Sequence, residues 1–378
     1  MPFPNNPRLA ALRRLRPSWI EISPEAIAHN VGKLRQLVGD EVKLMFTCKG
    51  DGYGFGLEYV ARLAVGAGVD GLCIGSPEEA VVLREAGIKV PILMFACTLP
   101  QDAKSVLELD VMVTIHSLDS LHAYAQTEAS VRAFVEIDSG MGRFGLTRKD
   151  WKKAFEKLAS TPIIELVGVY THLSSPDDTE LTREQLAVYD QAVQCARDCG
   201  FNDIETMVAS SRVVINYPDL PYSAVDPGRF IFGALDEHDK KKAGLKSMFH
   251  AVRARLIQLE EHPAGSKLGI GYGKPIQIDK PMRVGLVPIG FVDGLNHAPP
   301  MGHVLIEGKR APILGRRTLM HTIVDITDIP GARVGSEVTI MGRQGAEEIT
   351  MEQLGDMVGI PSLELFFRLT RSLSHVKI

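Results

Sequence analysis

Two periodicities alternate along most of the chain. Between residues 42 and 233, short apolar or β-branched runs recur, separated by stretches patterned like amphipathic helices. The runs are VKLMFTCK (42–49), GLCIG (71–75), PILMF (91–95), VMVTIH (111–116), RAFVEIDS (132–139), LVGVYTHL (166–173), ETMVAS (205–210) and GRFIFG (228–233). One intervening helix is well signposted in SPEEAVVLREAG (76–87). Ser76 and Glu79 have the spacing of a capping box, Pro77 stands at the first helical position, and Gly87 ends the pattern. Eight strand–helix alternations predict a (β/α)8 TIM barrel over residues 23–247.

From residue 248 the pattern changes to strands with little helix between them. AVRARLIQLEE, MRVGLVPIGF, HVLIEGKRAPIL, TIVDITD and SEVTIMG read as strands, with turns at Glu307-Gly308 and Pro330-Gly331. A helix opens at TMEQLGDMVG, where Thr350 and Gln353 form a second capping box. Residues 248–378 therefore read as a smaller, mostly β C-terminal domain. SWIEIS (18–23) alternates like a strand, so residues 1–22 read as an arm and a strand that joins the β domain.

Composition narrows the functional classes. Of 378 residues, 45% are apolar and 23% charged, with 42 basic and 46 acidic side chains and a net charge of -4. That balance gives no electrostatic reason to expect nucleic acid or an anionic membrane as partner. No apolar run reaches the length of a membrane span. The basic PRLAALRRLRP lacks the apolar core of a secretory signal and reads as a surface arm, with a transit peptide as the alternative. Five cysteines without a C-x-x-C pair fit a reduced, cytoplasmic protein with free thiols. Cys195 and Cys199 are spaced for a shared metal, but no further ligands cluster nearby, and no metal is expected.

Barrel chemistry sits at the C-terminal ends of the strands. That rule selects Lys49 after the first run and Glu136, Asp138 and Arg143 at and after the fifth. It also selects His172 at the end of the sixth, Ser210 and Ser211 ending the seventh, and Asp226, Gly228 and Arg229 opening the eighth. Phosphates in this fold often bind at the loops after strands seven and eight, next to Ser211 and Gly228. A buried lysine opposite a phosphate cup suggests pyridoxal phosphate held covalently, because burial exposes a nucleophilic amine. Singly, each residue has a plainer reading: a surface lysine, a glycine loop, a structural histidine, a solvated arginine. Their convergence on one barrel face favours the functional one.

The stretches CKGDGYGFG, VEIDSGMGRFGL, YTHLSS, VASS, VDPGRFIFG, GIGYGKP, VPIGFVDG and LGRRTLMHTIVDITD resemble, in order and spacing, those of the alanine racemase family, pyridoxal-phosphate enzymes of fold type III. The resemblance runs from about Trp19 to the C-terminus. It implies a racemase that inverts the Cα of an amino acid by two bases, Lys49 and Tyr272. In the family the tyrosine comes from the other subunit, which implies an obligate homodimer. It implies cofactor contacts from Lys49, Tyr53, Arg143, His172, Ser211, Asp226, Gly228 and Arg229, and substrate contacts from Arg143, Tyr272 and Leu319. The phosphate anchor explains the glycine-rich turn: the ring must stay fixed when the lysine releases it to act as a base.

The chain departs from the family pattern near the site. Asp226 stands where the family has an arginine near the cofactor ring nitrogen, and would favour protonation of that nitrogen. Its alternative is an ion pair with Arg229 or Arg212. Glu136 replaces a lysine, often carbamylated, that supports the equivalent of Arg143, and is expected to bring its own negative charge. Leu363 replaces a phosphate-binding tyrosine, whose role would pass to Arg229 or Arg212. Thr318, Leu319 and Met320 replace a C-M-D run, and Phe291 replaces a tyrosine at the substrate entrance. These changes predict a substrate not restricted to alanine. They also leave open a lyase, aldolase or decarboxylase on the same scaffold, and a non-catalytic cofactor-binding protein.

Overall fold

The computed structural model describes residues 15–208, 210–269, 275–298 and 302–378. Pro24–Met248 forms one compact unit, and the described residues before it group with Phe249–Ile378 in a second. Among the described residues no helix is long and apolar enough to cross a membrane.

Strand β1 (Ser18–Ile22) belongs to the second unit. The first unit is built on eight parallel strands: β2 (Lys43–Thr47), β3 (Gly71–Ile74), β4 (Ile92–Met94), β5 (Val113–Ile115), β6 (Val131–Ile137), β7 (Ile164–Thr171), β8 (Glu205–Met207) and β9 (Ala224–Val225). They are hydrogen-bonded in the order β4-β3-β2-β9-β8-β7-β6-β5. A parallel bridge between Leu93 and Met112 links the two ends, so the sheet closes into the predicted TIM barrel. Met45, Leu93, Phe134, Tyr170 and Met207 point inward and fill it as a core. Gly168 is required there, because a Cβ would lie 2.4 Å from Cε1 of Phe134.

The eighth strand lies earlier than the apolar run that predicts it. GRFIFG is not a strand: Arg229–Phe232 is a short helix, and β9 is the Ala-Val pair before Asp226. Phe230, Ile231 and Phe232 are buried throughout, and a short run buried on all sides has no period to separate helix from strand. Gly233 closes that helix at φ 61°, where a Cβ would stand 2.0 Å from the Lys246 carbonyl oxygen. The seventh strand likewise stops at Met207, and Ser211 begins a helix, Ser211–Asn216.

In the second unit β1 pairs antiparallel with β10 (Phe249–Arg255), Ile20 opposite Val252. The strand predicted from SWIEIS is thus lent to the β sheet across the barrel sequence. The rest of the sheet is antiparallel except where β1 meets the C-terminal strand, Ser374–Lys377, in parallel. His303–Ile306 and Lys309–Leu314 form the expected hairpin around Glu307-Gly308, with both turn residues at positive φ. Thr350 and Gln353 complete their capping box at the start of Met351–Val358.

Candidate active site

The geometry begins at the end of β2. Lys49 follows Cys48, and the chain then turns left-handed: Gly50, Asp51, Gly52 and Tyr53 have φ of 70°, 58°, 61° and 58°. Two of the four are not glycine, and each costs about 1–2 kcal/mol in this conformation. Glu79 opposes that cost. Its Oε1 accepts from the Asp51 N–H at 2.9 Å and its Oε2 from the Gly75 N–H at 2.8 Å. Hydrogen bonds to a charged acceptor contribute about 1.5–3 kcal/mol each, enough to offset the strain. Asp51 adds another by accepting from the Leu57 N–H at 3.0 Å. Gly52 is obligatory, since a Cβ would sit 2.5 Å from Cγ2 of Val60. The predicted capping box at Ser76 is therefore half formed. Ser76 caps Glu79, but the glutamate braces the lysine turn instead of returning to the Ser76 N–H.

This turn aims Tyr53 at the end of β9. The Tyr53 hydroxyl packs so closely on Gly228 that a Cβ there would lie 2.4 Å from it and 2.8 Å from the Thr47 carbonyl oxygen. Burial raises the Tyr53 pKa, so its hydroxyl stays protonated and able to donate. Beside it, the Ser211 hydroxyl accepts from the Phe230 N–H at 2.9 Å, joining the starts of two helices. Arg229 donates through Nε to the Ala234 carbonyl at 2.9 Å and lines the same pocket.

The pocket over this face encloses about 1120 Å³. Lys49, Tyr53, Glu136, Arg143, His172, Ser211, Asp226, Gly228 and Arg229 all line it. Lys49 is exposed along the wall rather than buried, as its position at the strand end allows. Its Nζ lies 5.2 Å from the centroid of the Phe95 ring. Arg143 is also exposed, beside the Phe144 ring. Burial, then the charges of Arg143 and Lys49, depress the His172 pKa to about 4, so its imidazole is neutral near pH 7.

Asp226 follows β9 directly, with its own carbonyl accepting from the Thr47 hydroxyl at 2.8 Å. Burial lifts its carboxyl pKa to about 8, against the opposing pull of Lys49. Among the described residues it makes no ion pair. Arg212 is held by Asp177, Asp236 and Asp239, and Arg229 by the Ala234 carbonyl. The alternative that Asp226 turns aside to either arginine is not what the structure shows. Arg212, balanced by three carboxylates, is also the weaker candidate for a phosphate.

Glu136 departs from its expected role. It is buried, and its Oε2 lies 3.0 Å from the Tyr170 hydroxyl, with no ion pair to Arg143 among the described residues. Tyr170 continues to the Thr114 hydroxyl at 3.2 Å, and Thr114 to the Met94 carbonyl at 2.9 Å. The Tyr170 hydroxyl donates to Glu136, so the carboxylate is held from the core side of the barrel. Burial raises the Glu136 pKa, against the Tyr170 hydrogen bond and the charges of Arg143 and Lys49. The side chain is thus hydrogen-bonded into the barrel core rather than ion-paired with the arginine.

Several candidates lie elsewhere. Tyr272 is outside the described residues. Leu319, Phe291 and Leu363 belong to the second unit, with 52%, 38% and 36% exposure. Phe291 and Val292 pair through their N–H groups with the carbonyls of Thr318 and Leu319. Cys195 and Cys199 end a helix, and no group of metal-ligating side chains occurs among the described residues. The bracing glutamate, Glu79, was legible only as a helix cap.

Comparison with known proteins agrees with this architecture. Residues 22–236 match the model for the N-terminal domain of alanine racemase, and residues 249–377 the model for its C-terminal domain. Alanine racemase 1 of Caldanaerobacter subterraneus subsp. tengcongensis is 30% identical over 374 residues, covering 96% of this chain and 95% of that protein. The crystal structure of alanine racemase from Corynebacterium glutamicum is similar with a TM-score of 0.82 at 26% identity, covering 96% of this chain and 100% of that one. That of the Bacillus anthracis enzyme with bound L-Ala-P gives 0.85 at 25% identity, covering 96% and 95%. With both domain models matched in order and nearly the whole chain aligned, this protein belongs to the alanine racemase family.

Proposed function

We propose that the protein is a pyridoxal-phosphate-dependent amino-acid racemase, active as a cytoplasmic homodimer, with a substrate range not restricted to alanine. The observation that carries this reading is the cradle at the barrel mouth. Tyr53 is pressed onto Gly228, where a Cβ would lie 2.4 Å from its hydroxyl, and Ser211 and Lys49 line the same pocket. These residues fit the cofactor. Tyr53, Ser211, the Gly228 backbone and Arg229 would hold its phosphate, Lys49 its aldehyde carbon, and Asp226 its ring nitrogen. Bound there, pyridoxal phosphate supplies an electron sink that acidifies the Cα–H of the amino acid.

The chain's own residues supply the rest. The Lys49 amine takes or returns the Cα proton on one face. Tyr272, contributed by the partner subunit, serves the opposite face. Removal from one side and return on the other inverts the centre. Arg143 orients the substrate carboxylate; the family resemblance gives a further donor in the N–H of Leu319, which has no backbone acceptor among the described residues. Leu319, Phe291 and Leu363 replace more polar family residues and motivate the wider substrate range.

The test is proton NMR of the cofactor-loaded protein in heavy water with a panel of L- and D-amino acids. Loss of the α-proton signal with appearance of the opposite hand is expected for at least one of them. Inversion of alanine alone across the panel would count against the wider substrate range. Asp226 favours one second reading, a lyase or decarboxylase on the same scaffold, because a proton held at the ring nitrogen stabilises carbanions from other bond cleavages too. New aldehyde, amine or decarboxylated products would select it.

A further inference from the structure

Arg317, in the β unit, is 1% exposed. One guanidinium nitrogen donates to the Asn296 carbonyl at 2.8 Å, but Nε and the other terminal nitrogen are buried without a hydrogen-bond partner among the described residues. A guanidinium keeps its charge in proteins, so burial cannot remove the problem by deprotonation. Buried charges are otherwise paired. Here Arg317 makes no ion pair among the described residues.

Arg317 lines a small cavity of about 10 Å³. Leu295, Ile340, Thr322, His303 and Met357 are among the residues around it, and among the described residues no acidic side chain lines it. The Thr322 hydroxyl is already committed to the Ile289 carbonyl at 2.7 Å. A space of this size holds one water-sized particle. It is too small for a carboxylate or phosphate. A water would satisfy N–H groups but not the charge. Met357, unbranched and flexible, can yield the small extra room a halide needs.

We propose that this cavity is a monovalent-anion site, filled by chloride bound to Arg317. The site also has a structural reach. The Arg317 N–H donates to the His297 carbonyl at 3.0 Å, and His297 Nδ1 lies 2.7 Å from the Arg317 carbonyl oxygen. Thr318 and Leu319 follow directly and accept from the backbone of Phe291 and Val292. The anion would therefore pin the 296–297 and 317–319 segments together.

The test uses the cofactor-loaded full chain. Crystals soaked in sodium bromide are measured at the bromine edge, and a single anomalous peak beside the Arg317 guanidinium is expected. Thermal unfolding is then followed while chloride replaces gluconate at constant ionic strength. A ligand at a hundred times its dissociation constant shifts the folding equilibrium by about 100-fold, so the wild type should gain stability with chloride. Arg317→Met should lose that dependence. An ordered water only at the site, or equal chloride responses of wild type and variant, would overturn the proposal. If Arg317→Met fails to fold, the bromide peak in the wild type decides alone. Neither readout depends on turnover, so the result stands apart from the racemase reading.

Discussion

Asp226→Asn offers a test worked from a single group. The carboxyl has a pKa of about 8 in the folded, cofactor-free protein against 3.8 for the free side chain. Between those values the folded state carries a proton that the unfolded state has lost. The unfolded state binds fewer protons, so stability falls as pH rises. What Asp226 contributes is fully present below pH 4 and is lost progressively up to pH 8. The slope approaches one proton, about 1.4 kcal/mol per pH unit. Over pH 5–8 that is at most about 4 kcal/mol. Asp226 stands half-buried on an open pocket wall, so solvent screening reduces the figure, and about 2 kcal/mol is a reasonable expectation. Asparagine has nearly the same shape and cannot ionise. Urea unfolding of cofactor-stripped wild type and variant, at pH 5 and pH 8, isolates the difference. The variant's advantage should be small at pH 5 and distinctly larger at pH 8. Parallel pH profiles would refute the placement of a buried, protonated carboxyl at this position. With cofactor restored, the sign reverses if the carboxyl holds a proton at the ring nitrogen. The variant should then bind pyridoxal phosphate about ten- to a hundredfold more weakly, the range for losing one charged hydrogen bond.

Other positions give sharper yes-or-no outcomes. Gly228→Ala places a Cβ 2.4 Å from the Tyr53 hydroxyl; it should cost about 1–3 kcal/mol in unfolding experiments and reduce the cofactor absorbance retained after desalting. Glu79→Ala removes both acceptors that hold the lysine turn and should destabilise by about 2–4 kcal/mol, with Glu79→Gln, which keeps one acceptor oxygen, falling between. Tyr272→Phe should lower inversion by about 10²–10⁴-fold, the usual range for one acid–base group, with bound cofactor unchanged; normal inversion would remove Tyr272 from the mechanism.

These perturbations fall on residues of unequal legibility, and the reason is geometric. A closed parallel barrel brings the C-terminal ends of all its strands to one face, so polar residues there are gathered whatever the exact strand limits. That is why Asp226, Gly228 and Arg229 line the pocket although the eighth strand lies before the apolar run that predicts it. The tolerance ends where a role depends on a partner distant in sequence. Glu136 stands opposite Tyr170 because of the parallel register between neighbouring strands, a pairing that no local spacing encodes. Its buried hydroxyl chain, not the charge of the isolated side chain, decides what it does. Glu79 carries an ordinary capping signal, yet its carboxylate turns to the Asp51 and Gly75 amides, on segments brought together only by the β2–β3 pairing. Arg317 is the extreme case. Its neighbours in sequence are arginine and threonine, and nothing local marks it for burial. Only the folded β unit shows a guanidinium among apolar side chains with two unpartnered nitrogens. A position on a strand end survives errors in boundary, whereas a proton count or a charge balance exists only once the contacts are known, and it is those contacts that the variants at Asp226, Glu79 and Arg317 put to the test.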